Sequence, residues 1–218
     1  MKLSHLSARP DLCDEIARLL YAEWSPYYML GNINSIEKLS ETLKTKYTNI
    51  NYFPMGFVVT DNDKLVSYAS VGINGAIKED KGELDLLEDT PPKKNYKIWL
   101  ADVYVVKEYR NKGISKEMIN NIIKIMKEKY NIPKLYLWVD NIKKGKFYEG
   151  LGFVQENTMI YEGYNFTIYK KDLIEEESLI KPVHLIGLFV LIVFIYFIRK
   201  IFQLIFWLLF GSSNTNTN

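Results

Sequence analysis

The sequence predicts an α+β fold. Its strongest unit is 98–130: residues 98–106 form a run of apolar, β-branched and aromatic residues that reads as a buried strand. From Ile114 the apolar residues Ile114, Met118, Ile122, Ile125 and Met126 recur at helical spacing. Two further pairs of strand-like runs meet at turn-forming clusters, Asp61-Asn62-Asp63 and Glu162-Gly163-Tyr164-Asn165, and read as hairpins. Taken together the elements run β-α-α-β-β-β-α-β-α-β-β, with no internal repeat.

In order, 2–7 is a short first strand, punctuated by Arg9-Pro10-Asp11. Ala17, Leu19, Leu20 and Trp24 predict a helix over 10–24, with Pro10 in its first turn. That helix is expected to end at Ser25-Pro26, because the residue before proline avoids the helical region, leaving Tyr27, Tyr28 and Met29 in a loop. A second helix over 35–47 carries Ile36, Leu39 and Leu43 on one face. The first hairpin pairs 56–60 with 64–71. The polar, acidic stretch 74–94 then reads as a long loop, solvated or gating a substrate. After the central unit come a strand at 134–139, a short helix at 143–151 ending at Gly152, and a closing hairpin of 153–161 with 166–171.

The turn between the central strand and helix has its own chemistry. The first N–H groups of a helix lack partners within it, and the helix dipole adds partial positive charge there. Arg110, Lys112 and Lys116 surround that helix start, so the spacing predicts a cradle for phosphates; the bland alternative is a solvated basic turn.

Arg110-Asn111-Lys112-Gly113-Ile114-Ser115 resembles the acetyl-CoA loop of the GNAT N-acetyltransferases, Arg/Gln-x-x-Gly-x-Gly/Ala, with Ser115 in place of the second small residue. Residues 139–153 resemble the family's second signature: a strand end, Asn141, seven residues to Tyr148, then Leu151-Gly152-Phe153. The resemblance covers 1–171 and implies one curved mixed sheet flanked by helices, with acetyl-CoA as cofactor and no metal. It implies that Arg110, Asn111, Lys112, Gly113, Ile114, Ser115 and Lys116 hold the phosphates. It also implies that Asn141 meets the pantetheine arm, and that Val103 and Val105 pair with that arm and supply an oxyanion donor. The family has a small residue where Lys144 stands.

Acetyl transfer needs an unprotonated amine and a donor for the leaving thiolate. An α-amino group has a pKa near 7.7–8 and a lysine amine near 10.4, so a general base helps in either case. Asp102 is the candidate base, a carboxylate in an otherwise apolar strand, where burial would raise its pKa; the alternative is an Asp facing solvent or capping a loop. Tyr104 is a weaker candidate, read as packing. Tyr148, by resemblance, sits beside the thioester sulfur and protonates it; the alternative is an aromatic packed under the last hairpin. No metal-binding cluster is expected, since His5 and His184 are far apart, and no Gly-x-Ser-x-Gly, P-loop or Cys-x-x-Cys occurs.

At 218 residues the chain holds one domain, 1–174, plus an appendage. Its single cysteine, Cys13, excludes an intramolecular disulfide and reads as a buried helix residue. The net charge of +2 gives no argument for nucleic acid.

Glu175-Glu176-Glu177-Ser178 opens a linker, 175–182, ahead of the nearly all-apolar 183–210 and a polar tail, 211–218. Residues 183–198 fall short of the ~20 needed to span a bilayer. The full segment is long enough but contains Arg199-Lys200. Each cation costs about 2.5–3.5 kcal/mol at a helix centre, against ~0.3–0.6 gained per Leu, Ile or Phe, and the many apolar residues favour membrane association. The expectation is a transmembrane tail anchor; an interfacial helix or a soluble oligomerisation helix are the alternatives. No signal peptide opens the chain, so the catalytic domain is expected to face the cytosol, although Arg199-Lys200 pulls weakly the other way. The sequon Asn165-Phe166-Thr167 is then expected to stay unmodified.

The expected activity is transfer of acetyl from acetyl-CoA to a primary amine, either a protein N terminus or a small molecule. Arg9-Pro10-Asp11-Leu12 with Glu23-Trp24, and 134–137 with Phe147-Tyr148, look faintly like the family branch that acetylates protein N termini, notably actin's. The acidic 74–94 stretch favours neutral or basic amines over acidic peptides. A catalytically silent domain that binds CoA or a partner at a membrane is the alternative.

Overall fold

The computed structural model describes residues 1–51, 53–73, 97–140, 142–161 and 163–174. The acidic 74–94 stretch, Asn141 and the apolar 183–210 segment lie outside them. Seven strands form one sheet: β1 (Lys2–His5), β2 (Met55–Asp61), β3 (Lys64–Ile73), β4 (Ile98–Val105), β5 (Lys134–Val139), β6 (Val154–Tyr161) and β7 (Tyr164–Asp172). Four α-helices accompany them: α1 (Cys13–Leu30), α2 (Ile36–Thr42), α3 (Ile114–Glu128) and α4 (Ile142–Glu149). The order of elements is the one predicted.

The strands lie in the order β1-β2-β3-β4-β5-β7-β6, antiparallel throughout except for β4 and β5, which run parallel. A parallel pair needs a crossover connection, and α3 supplies it. Because successive side chains point to opposite faces of a strand, the apolar runs of β2 and β3 serve two cores. Phe57, Val59, Ala69 and Val71 pack with Ile114, Met118, Ile119, Ile122 and Met126 of α3 on one face. Val58, Leu65 and Tyr68 pack with Cys13, Ile16, Ala17 and Leu20 of α1 and Leu39 of α2 on the other. Cys13 is fully buried, and burial pushes its thiol up to about 11, as befits a packing residue.

One expectation is corrected. α1 does not stop at Ser25-Pro26 but continues to Leu30. The backbone leaves helical geometry one residue earlier than expected, at Trp24 (φ −133°, ψ 24°), and then resumes. Pro26 therefore falls in the first turn of the resumed segment, where its missing N–H would have had no helical acceptor. Tyr27 and Tyr28, read as loop residues, are helical.

The parallel pair is short. β4 meets β5 only across Ile98–Leu135 and Trp99–Tyr136, although β4 runs on to Val105 and β5 to Val139. Beyond that contact the two strands part in the middle of the sheet. β4 carries a bulge at the same level: Tyr68 faces Tyr104 and Ser70 faces Ala101, so Asp102 and Val103 together oppose Ala69. Asp102 takes a left-handed conformation (φ 53°) within the bulge. Bulges bend a strand and increase its local twist, which turns β4 away from β5.

Helix α4 packs tightly under the closing hairpin. A Cβ on Gly145 would overlap the Tyr169 hydroxyl and stand 2.9 Å from its Cζ. Alanine gains up to about 1 kcal/mol over glycine in a helix interior, but overpacking costs about 1–3 kcal/mol. Gly145→Ala should therefore lower the thermal midpoint in a calorimetric scan, and Tyr169→Phe in the same chain should restore part of it. A higher midpoint for the single variant would show that the ring yields freely.

Candidate active site

The site grows from the end of β4. A single 3-10 turn, Lys107–Tyr109, leads into Arg110, and two left-handed residues follow, Asn111 (φ 62°) and Gly113 (φ 78°). Asparagine tolerates this region and glycine enters it without cost. Gly113 is the N-cap of α3 and offers no side chain to its N–H groups; the first helical bond runs from Glu117 N–H to Gly113 O at 3.1 Å. The N–H groups of Ile114, Ser115 and Lys116 thus precede the helical ladder. Nothing lies within 4 Å of the place a Gly113 Cβ would take, so the helix end is open to an incoming group. Ile114 is buried and pins the turn to the core, while Lys112 and Lys116 are exposed.

Arg110, expected among the phosphate ligands, also has partners of its own within the chain. Its Nε donates to the carbonyl of Val105 at 2.9 Å, its guanidinium lies 5.4 Å from the centre of the Tyr104 ring, and Glu23 stands 3.7 Å from Nη2. Arg110 braces the turn against β4 and α1. Lys112 lies over the Tyr109 ring, and Lys116 is a further exposed lysine in the first turn of α3.

Val106 N–H donates to Val66 O across the β3–β4 ladder. Strand alternation therefore turns the backbone N–H groups of Val103 and Val105 away from β3, toward the side where β5 has parted. The slot has backbone donors along one wall and the start of α3 at its end.

Asp102 is partly buried, and both carboxylate oxygens accept hydrogen bonds, Oδ1 from Tyr28 Oη and Oδ2 from Ser70 Oγ, each at 2.7 Å. Burial raises its pKa, against the opposing effect of these two donors. It belongs to the α1 side of the sheet. Tyr148 packs instead against the α3-side core, edge-on to Phe147 and Phe153 at 5.0 and 5.9 Å. Its carbonyl accepts from Leu151 and Phe153 N–H, so the turn through Gly152 (φ 81°) fixes its place at the end of α4. Burial pushes the Tyr148 hydroxyl up to about 12. Tyr104 is buried and packs against Trp24, as a packing residue should. Lys144, at the family's small position, reaches back to Asp140 Oδ1 at 2.8 Å.

Sequence reasoning missed two residues. Tyr28 binds Asp102 of β4, while its neighbour Tyr27 donates to Asp140 Oδ2 at 3.1 Å, just past β5. The Tyr27 ring packs edge-on to Trp138, Tyr164 and Phe166. The last turns of α1 therefore reach both strands that border the slot. The signal was present: Trp24, Tyr27 and Tyr28 have helical spacing, but Pro26 was read as a terminator. Among the described residues no group of three or more His, Cys, Asp or Glu is placed to hold a metal.

Comparisons agree with this geometry. The family described as Acetyltransferase (GNAT) matches residues 16–153. A protein named probable spermine N(1)-acetyltransferase, from Bacillus subtilis subsp. natto, is 26% identical over 114 residues, which are 51% of this chain and 66% of that relative. The match thus spans just under two thirds of the relative's length. Among solved structures, a mutant of the spermidine N-acetyltransferase SpeG from Vibrio cholerae has a TM-score of 0.58 at 18% identity, covering 82% of this chain and 98% of that one. An aminoglycoside 6'-N-acetyltransferase complexed with coenzyme A has a TM-score of 0.57 at 15% identity, covering 82% and 100%. These relatives do not carry the likeness to the protein N-terminal branch. Acetyl-CoA is the family's cofactor, and the slot beside the uncapped start of α3 fits it. The chain belongs to the acetyltransferase (GNAT) family.

Proposed function

We propose that the chain is an N-acetyltransferase that moves the acetyl group of acetyl-CoA to a primary amine of a small cationic acceptor of the polyamine kind. The observation that carries this reading is the parting of β4 from β5 directly beside the uncapped start of α3. Bound acetyl-CoA supplies an activated acyl carbon whose leaving group is a thiolate. The N–H groups of Ile114, Ser115 and Lys116, with Lys112 and Lys116 as full charges, hold the phosphates. The N–H groups of Val103 and Val105 bind the pantetheine arm as an added strand would, and one of them donates to the acyl oxygen. Asn141, by family likeness, holds the same arm. Tyr148 donates its hydroxyl to the leaving sulfur. Its raised pKa keeps it protonated, so it loses no donor as pH rises through the neutral and mildly basic range.

The acceptor class rests on charge and on the relatives' names. Asp140, which also accepts from Lys144, and Glu23, which faces Arg110, lie near the slot; Tyr27 meets Asp140 and packs its ring against Trp138 and Tyr164. The sequence adds Glu79, Asp80, Glu83, Asp85, Glu88 and Asp89. The aromatic rings and this acidic stretch of sequence favour an alkylammonium over an acidic peptide. We also propose that 183–210 tethers the chain to a membrane, with the catalytic domain on the cytosolic side; its apolar composition supports this. Among the described residues no helix is long and apolar enough to cross a membrane.

Labelled acetyl transfer should proceed to spermidine and fall off for peptides with acidic N termini; a preference for such peptides would move the acceptor to protein N termini. Tyr148→Phe should lower kcat about 100-fold while the acetyl-CoA Kd stays within about twofold; turnover that survives the change would remove Tyr148 from the chemistry. Gly113→Ala forces a side chain into the left-handed region and should weaken acetyl-CoA binding about tenfold, equivalent to ~1.4 kcal/mol, by titration calorimetry. The full chain should float with liposomes and residues 1–174 should not; flotation of neither would refute the tether.

A further inference from the structure

Each carboxylate oxygen of Asp102 already accepts one hydrogen bond at 2.7 Å, Oδ1 from Tyr28 and Oδ2 from Ser70, and the group is partly buried. Tyr28 does have capacity to spare. Its hydroxyl donates its one proton to Asp102, and its oxygen keeps lone pairs that can accept. It also sits in the right segment: Tyr28 meets β4 at the bulge, and Tyr27 beside it meets Asp140 just past β5, so this turn of α1 borders the slot.

We propose that Tyr28 is a catalytic residue that relays a proton from the acceptor amine to Asp102. This rests on the acetyltransferase reading and deepens it. As the amine nitrogen bonds to the acyl carbon, its N–H proton passes to Tyr28 Oη, and the Tyr28 proton passes to Asp102 Oδ1. The C–S bond breaks with its electron pair leaving on sulfur, where the Tyr148 hydroxyl donates. Tyr148 gives its proton to that sulfur and is reprotonated from solvent, and Asp102 returns its proton through Tyr28 to water. Tyr28 never carries a net charge, which suits a phenol that burial and the adjacent carboxylate hold well above its ordinary pKa. Asp102 acts through Tyr28 and is a positioning residue and proton store. Ser70 holds its second oxygen, keeping Oδ1 aimed at the tyrosine. The other titratable groups facing the cluster are Tyr47, after α2, and Tyr68 on β3, both raised further by burial and by Asp102.

The test uses the full chain with acetyl-CoA and spermidine, in steady state across about pH 6 to 10. Tyr28→Phe keeps the ring and deletes the relay. Asp102→Asn keeps a residue that adopts positive φ and an Oδ1 that accepts from Tyr28, and Tyr28→Phe keeps the Ser70 bond to the bulge. Each variant should lower kcat about 100-fold while the spermidine KM and the acetyl-CoA Kd each move by less than about twofold, the unmoved Kd showing that the bulge stands. The double variant should be no slower than either single one, as for residues acting as a unit. A Tyr28→Phe enzyme with near-wild-type kcat overturns the relay, as do a weakened acetyl-CoA Kd and losses that multiply in the double variant. A wild type that acetylates no amine overturns both the relay and the proposed activity.

Discussion

The hydrogen bonds from Tyr28 and Ser70 to Asp102 hold the irregularity on which the site depends. A non-glycine residue at positive φ costs roughly 1–3 kcal/mol and persists only when its surroundings over-determine it. Here the surroundings are a donor from α1 on one oxygen and a donor from β3 on the other. The bulge they maintain places two residues of β4 opposite one of β3. Without it the alternation would be offset by one residue, and the N–H groups of Val103 and Val105 would trade places with their neighbours. The slot between β4 and β5 and the direction of its donors share one cause.

The other end of the slot is the start of α3, reached through Asn111 and Gly113 in left-handed conformations. Arg110 ties this turn to the carbonyl of Val105. That bond couples the end of β4 to the start of α3, so the wall and the end of the slot keep a fixed relation. Its exposed partner Glu23, at 3.7 Å, contributes little, as surface pairs do.

Much of this was legible in the residues. α3 and β5 fell where periodicity placed them, because each presents one apolar face to one core. The chain order was read in full, and the family likeness came from two short stretches whose glycines and tyrosine have fixed structural jobs. What escaped was non-local. Pro26 reads as a stop in any local scheme, and only the packing of Tyr27 and Tyr28 against distant strands shows why α1 resumes. Asp102 was singled out for its apolar strand, but its left-handed backbone and its two donors come from residues 74 and 32 positions away. The bond from Arg110 to the carbonyl of Val105, in the strand it follows, was likewise not legible from its neighbours in sequence.

The central claim is that the outward-facing donors of β4 receive the cofactor's extended arm. Amide hydrogen exchange at Val103 and Val105, with and without acetyl-CoA, tests it most directly. Those two N–H groups should exchange quickly in the free protein and become protected on binding, together with Ile114, Ser115 and Lys116. Acetyl-CoA that binds while Val103 and Val105 exchange at an unchanged rate would contradict the claim and place the cofactor elsewhere.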